Sequence, residues 1–306
     1  MRSTFIKTLI QLAEQDERII LLTADLGYTV LETFENQFPG RYYNVGVAEQ
    51  NMIGLSTGLA EAGFIPFLYS IGTFASLRGY EFIRNGPILH RLPVRIIGVG
   101  GGMEYSSAGI THHSIDDVGV MRVQPGIRII VPADAAQTRS ALEATWNLPD
   151  PVYYRIGKDE KISVPGLDGH FDINTPQLIG SGSDLLFVVM GAIAAEVANA
   201  ASGLREQGID STIAIVSSLN PVPEMVSVLE KFPLVISVED HYINGGIGSL
   251  VAEVITENGL NCRLKRCGIR SQPGGVTGSL NFLRSQHGLT ASQLIQSAIS
   301  LIQPEK

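Results

Sequence analysis

RIILLTAD, residues 18–25, is a short unbroken apolar run that ends in an acid. Such runs lack the in–out alternation of a half-exposed strand and suit strands covered on both faces, as in parallel sheets. Before it, residues 3–15 predict an amphipathic helix, with Phe5, Ile6, Leu9, Ile10 and Leu12 near one face. After it come further strand-like runs: YYNVG (42–46), PFLYSI (66–71), VRIIGVG (94–100), RIIVPAD (128–134) and VYYRI (152–156). The intervals predict helices over 48–63, 74–90, 115–122 and 134–147. Gly54 and Gly58 share one side of the first of these, where another helix can approach closely.

The rhythm breaks at KDEKISVPGLDGHFDINTPQLIGSGSD, a polar tract rich in Gly, Pro and Asp that reads as a linker with one short strand. It then restarts, with strands expected at 184–191, 211–218, 234–240 and near 263–269. The accompanying helices are expected at 192–207, 224–231, 247–258 and 290–302. Repeated βα units imply α/β architecture: two doubly wound domains, each a mainly parallel sheet flanked by helices. The expected boundaries are 1–160, a linker at 161–183, and 184–306. A length of 306 residues suits two domains of roughly 150 residues each.

The net charge of −8 argues against a concentrated basic face for nucleic acid. No apolar run reaches the ~20 residues of a membrane-spanning helix. The N-terminus is amphipathic, without a long apolar core or small-residue cleavage site, so no signal peptide is expected and the location is expected to be cytoplasmic. Cys262 and Cys267 have neither CxxC nor repeated-pair spacing and read as idle thiols of a reducing compartment.

Ligands in such folds bind at loops beyond the C-terminal ends of strands. The polar groups there are Asp25, Glu49, the 100–113 loop, Arg155 in VYYRI, and Glu239, Asp240 and His241 after LVISVED. All but the last trio lie in the first half, which points to that half as the site. By position alone Glu49 is a first-turn helix acid favoured by the helix dipole. The imidazole of His112 can donate or accept a proton near neutrality. Arg155 carries a planar fork suited to phosphate. Gly245-Gly246 before a helix has the form of an anion-binding N-terminus or of an ordinary turn.

Four stretches, in order, carry a resemblance: LLTADLG (21–27) with YYNVGVAEQNM (42–52), PFLYSIGTFASLRGYEFIRN (66–85), GITHHSIDDVGVMR (109–122) and VISVEDHYINGGIGSLVAEVI (235–255). Together they resemble the pyrimidine-binding and C-terminal domains of the transketolase family over nearly the whole chain. The resemblance implies thiamine diphosphate as cofactor. It implies that Glu49 hydrogen-bonds a ring nitrogen of the pyrimidine, that Phe74 and Tyr80 line the ring, and that Asp25 is a cofactor-side acid. It further implies that His112 meets the reacting end of the substrate and that Arg155 and Arg2 grip a substrate phosphate.

The sequence departs from the family at Gly100, where a histidine is usual, at Ala108, where an acid is usual, and at Leu77, where a third aromatic is common. These changes leave the sugar open and point to Glu104, Tyr105 and Ser106 as the lining of a differently shaped pocket. No GDG motif occurs. The diphosphate and Mg²⁺ site is therefore expected from another polypeptide, in an α2β2 assembly acting on sugar or sugar-phosphate substrates. Two other readings stay open. One is the β subunit of a 2-oxo acid dehydrogenase or a deoxyxylulose phosphate synthase-like enzyme. The other is a cofactor-free scaffold or regulatory homologue, which Gly100, Ala108 and Leu77 favour and Glu49 and His112 oppose.

Overall fold

The computed structural model describes residues 1–271 and 274–303. Its first sheet is built from β1 (Ile19–Thr23), β2 (Tyr42–Asn44), β3 (Ile65–Ile71), β4 (Arg95–Val99), β5 (Arg128–Ile130) and β6 (Val152–Ile156). The second takes β7 (Gln177–Ile179), β8 (Leu185–Met190), β9 (Ser211–Ile215), β11 (Leu234–Tyr242) and β12 (Arg263–Ile269). The remaining strand, β10 (Ser218–Leu219), crosses back and pairs antiparallel with β5, so the first sheet runs β10-β5-β6-β4-β3-β1-β2. The second runs β12-β11-β8-β9-β7, with only β7 antiparallel.

Every residue of β1, β4 and β6 is buried, as their unbroken apolar runs require. Side chains from one face of the first sheet, Ile96 and Ile129 among them, share a hydrophobic cluster with Val188 and Val235 of the second. Helix Arg2–Gln15 buries Phe5, Ile6, Leu9 and Leu12, close to the face read from the sequence. Within the tract read as linker, Val164 and Leu167 sink into the second core. Val164 N also donates to Asp134, the residue whose side chain caps helix Ala135–Thr145.

Three expectations need correction. The helix over 74–90 is broken into a π-helical turn (Phe74–Arg78), a short α-helix (Tyr80–Ile83) and a second π turn (Arg84–Ile88) containing Pro87. Gly79 and Gly86 bring this segment against helix Glu49–Glu61: a Cβ on either would lie 2.0 Å from Ile53 Cδ1 or 2.5 Å from Thr57 Oγ1. The close approach thus depends on these glycines rather than on Gly54 or Gly58; a Cβ on Gly58 would meet nothing within 4 Å. The strand expected over 211–218 stops at Ile215, and its last residue belongs to the other sheet.

Candidate active site

The C-terminal ends of strands in the first sheet, from the edge strand β2 inward, deliver a row of polar and aromatic side chains. Glu49 follows β2 as the first residue of helix Glu49–Glu61 and is only 2 % exposed. Its Oε1 accepts from Ser70 Oγ on β3 at 3.0 Å, and its Oε2 pairs with Arg78 Nη1 at 2.8 Å. The Arg78 guanidinium lies over the Phe74 ring, 3.7 Å from its centroid. Phe74 in turn meets His112 edge-on at 5.1 Å, and Thr111 Oγ1 lies 2.9 Å from His112 Nδ1. Beyond His112 stands Tyr105, ring centroids 6.2 Å apart, with Lys158 Nζ 4.0 Å from the centre of the Tyr105 ring. Loops after β2, β3, β4 and β6 therefore join in one continuous line of contacts.

The departure at Gly100 has a physical reason. Gly100 adopts φ +78°, and a Cβ there would stand 2.2 Å from Tyr105 Cε2. The Tyr105 ring takes the room that a side chain at position 100 would need. Ala108 is exposed at the end of the short turn Ser106–Ala108. Glu104 turns inward, where its carboxylate accepts from Lys158 N at 2.7 Å. Burial pushes the pKa of Glu104 up to about 7, against the pull of that hydrogen bond and of Arg284. Burial also lowers the pKa of the Lys158 ammonium, and nearby Arg2 adds to the effect. Arg2 lies beside the Tyr69 hydroxyl, whose pKa burial raises and Arg2 opposes. Arg2 and Lys158 thus bring two cations to the Tyr105 end of the row.

Three residues singled out in the sequence take their bonds outside this row. Asp25, at φ +55°, is exposed at the tip of β1; its carboxylate accepts from Asn44 Nδ2 at 2.9 Å and Tyr28 at 3.1 Å, and these bonds lower its pKa. The Tyr80 hydroxyl is tethered at the end of helix Asp117–Arg122, donating to Val120 O at 2.8 Å and accepting from Gln124 at 2.6 Å. Arg155 departs furthest from its expected place. It is 4 % exposed and bonds to Asp117 through Nε at 2.9 Å and to the carbonyls of Ser114 and Asp240 through Nη2 at 2.8 and 2.9 Å. Those donors serve the joint between the two domains, so the open phosphate grip expected of Arg155 is not what the geometry gives.

The second-domain trio is likewise spent internally. Glu239 accepts from Ile247 N at 2.8 Å and Gly248 N at 3.0 Å. The helix N-terminus after Gly245-Gly246 therefore holds the chain's own carboxylate instead of an outside anion. Asp240 accepts from Arg284 Nε at 3.1 Å, and His241 Nε2 accepts from Gly119 N at 3.2 Å.

Sequence reasoning missed Arg78 and Lys158. An uninterrupted helix over 74–90 hides Arg78 among its surface charges. Lys158 follows β6 by two residues, and the strand-end rule that found Glu49 could have found it.

Residues 1–161 match the model of the transketolase pyrimidine-binding domain, and residues 176–294 that of the transketolase C-terminal domain. The chain is 34% identical over 270 residues to one subunit of the apulose-4-phosphate transketolase of Actinobacillus succinogenes, covering 88% of this chain and 87% of that one. It is also 34% identical to a 6-deoxy-6-sulfo-D-fructose transketolase subunit of a Clostridium species, covering 97% and 93%. A solved split-gene transketolase, an inactive β4 tetramer, superposes with a TM-score of 0.90 at 31% identity, covering 100% of this chain and 99% of that one. With both family domains matched in order and relatives aligned nearly end to end, this chain belongs to the transketolase family, in the form in which the pyrimidine-binding and C-terminal domains make up a separate subunit.

Proposed function

We propose that this chain is the pyrimidine-side half of a thiamine diphosphate-dependent transketolase, which moves a two-carbon ketol unit from a ketose to an aldose. The observation that carries the reading is the unbroken row from buried Glu49 through Phe74 and His112 to Tyr105. Its two ends suit different guests. At one, a buried carboxylate and an aromatic face fit a flat nitrogen heterocycle. Phe74 would stack on the pyrimidine, Tyr80 would form a wall held by its tethered hydroxyl, and Asp25 would stand on the cofactor side. The Glu49 carboxyl would hydrogen-bond a ring nitrogen, giving it a proton, and hold the ring in one orientation. Thiamine diphosphate, when bound, supplies the nucleophilic carbon that takes up and hands on the ketol unit.

At the other end His112 would move a proton to or from the substrate oxygen at the reacting carbon. Arg2 and Lys158 beside Tyr105 would take an anionic substrate terminus, the task that Arg155 is too buried to perform. Among the described residues no cluster of three or more His, Cys, Asp or Glu could hold a metal. We assign Mg²⁺ and the cofactor diphosphate to an N-terminal-type partner subunit, in an α2β2 assembly, a reading that the split-subunit relatives support. Among the described residues no helix is long and apolar enough to cross a membrane, and we assign the complex to the cytoplasm.

The test mixes this chain with its diphosphate-binding partner and measures ketol transfer with and without thiamine diphosphate. Cofactor-dependent transfer that disappears in Glu49→Gln is expected. Decarboxylation of a 2-oxo acid without ketose cleavage would reject it in favour of a 2-oxo acid dehydrogenase.

A further inference from the structure

We propose that Arg78 occupies the seat of the cofactor's aminopyrimidine in the uncomplexed chain and must vacate it before the cofactor can bind. The inference rests on reading Glu49 and Phe74 as the pyrimidine contacts. A guanidinium is a flat cation that offers N–H groups to a carboxylate and stacks on aromatic faces. Arg78 does both: Nη1 reaches Glu49 Oε2 at 2.8 Å, and the guanidinium carbon sits 3.7 Å from the Phe74 ring centroid. A heterocycle held between the same carboxyl group and the same ring would occupy the same place.

Oε1 of Glu49 accepts from Ser70 and Oε2 from Arg78, so a ring approaching Oε2 along the Phe74 side meets the guanidinium. His112 meets the Phe74 ring edge-on at 5.1 Å, while Arg78 lies over its face.

The arrangement also answers a stability problem. A carboxylate as buried as Glu49 is costly to leave without a counter-charge, and in a chain without cofactor Arg78 supplies one. Arg78 can leave readily: its side chain is 43% exposed, and among the described residues its guanidinium has only the one hydrogen bond, to Glu49. Cofactor binding thus exchanges one flat partner of Glu49 for another, and the observed affinity is reduced by the fraction of chains in which Arg78 is seated.

The experiment uses the full chain alone and the probe 4-amino-5-hydroxymethyl-2-methylpyrimidine, which lacks the diphosphate and needs no metal site. Calorimetric titration compares wild type, Arg78→Ala and Glu49→Gln. If Arg78 is seated nine-tenths of the time, its removal tightens probe binding about ten-fold. In parallel, Arg78→Ala should melt below wild type and recover with millimolar methylguanidinium, a free flat cation that re-enters the seat. The Arg78→Ala/Glu49→Gln double variant should not respond. Equal or weaker probe binding by Arg78→Ala would overturn the proposal while leaving the pyrimidine reading intact, since Arg78 would then be a cofactor contact. No rescue by methylguanidinium would overturn it as well. Probe binding that is undiminished in Glu49→Gln, or absent from all three proteins, would remove the pyrimidine seat and the proposal with it.

Discussion

Replacing Asp117 by Asn tests what holds the two domains together. Asp117 is fully buried and accepts from Tyr153 at 2.7 Å and from Arg155 Nε at 2.9 Å. Asparagine keeps the shape but removes the charge, and it turns one acceptor into a donor facing other donors. Breaking a buried ion pair by removing one partner costs about 3–5 kcal/mol, because the other charge stays buried without compensation. Arg155 keeps the Ser114 and Asp240 carbonyls, at 2.8 and 2.9 Å, which favours the lower end of that range. For a domain of this size a loss of about 3 kcal/mol corresponds to about 6–12 °C in melting temperature. Urea unfolding followed by the fluorescence of Trp146, the one tryptophan of the sequence, measures it directly. Arg155→Met added to Asp117→Asn should recover part of the loss, since an apolar replacement of a buried pair leaves no orphaned charge. A single-variant loss within about 0.5 kcal/mol, the range of an ordinary surface change, would refute the reasoning and return Arg155 to the candidates for substrate binding.

Other outcomes follow from the same geometry. In the assembled complex, Glu49→Gln should cut ketol transfer by at least about 100-fold, with the circular dichroism spectrum unchanged. Glu104 gives a pH signature: its pKa is raised from 4.5 to about 7 in the fold, so its neutral form stabilises the protein below pH 4.5 and that contribution is lost as pH rises through 7. The whole span is worth about 3 kcal/mol, so Glu104→Gln should flatten the stability profile, matching wild type near pH 4 and exceeding it near pH 8 in chemical denaturation. Gly100→Ala should cost about 1–3 kcal/mol through its positive φ and the collision with Tyr105, and should raise KM for an anionic substrate more than it lowers kcat.

The alternation of apolar runs and helical periodicity carried most of the architecture, because strands buried on both faces cannot be written with polar residues. RIILLTAD and VYYRI read directly as β1 and β6. The broken segment over 74–90 was not legible from periodicity. Its π turns answer to Ile53 and Thr57 across the helix interface, a tertiary demand that leaves only scattered glycines in the sequence. The short helix Leu280–Gln286, which supplies Arg284 to Asp240, also went unread. In the site, Glu49 and the 100–113 loop were visible at strand ends, and Phe74 through the family resemblance. Their partners were not: Arg155 reads as an exposed phosphate ligand until Asp117, 38 positions away, is seen to hold it.

The strand β10 has a consequence for how the molecule comes into being. It closes the β5 edge of the first sheet, yet it is encoded after β8 and β9 of the second. A ribosome therefore delivers nearly all of the cofactor-side domain with one flank still unzipped, and seals it only once about a third of the following domain has emerged. A fragment cut in the linker would keep every residue of the Glu49–Tyr105 row and still carry a raw β edge, free to be stitched by another chain. The gene can be divided before this pair of domains, but dividing it between them would sever a seam.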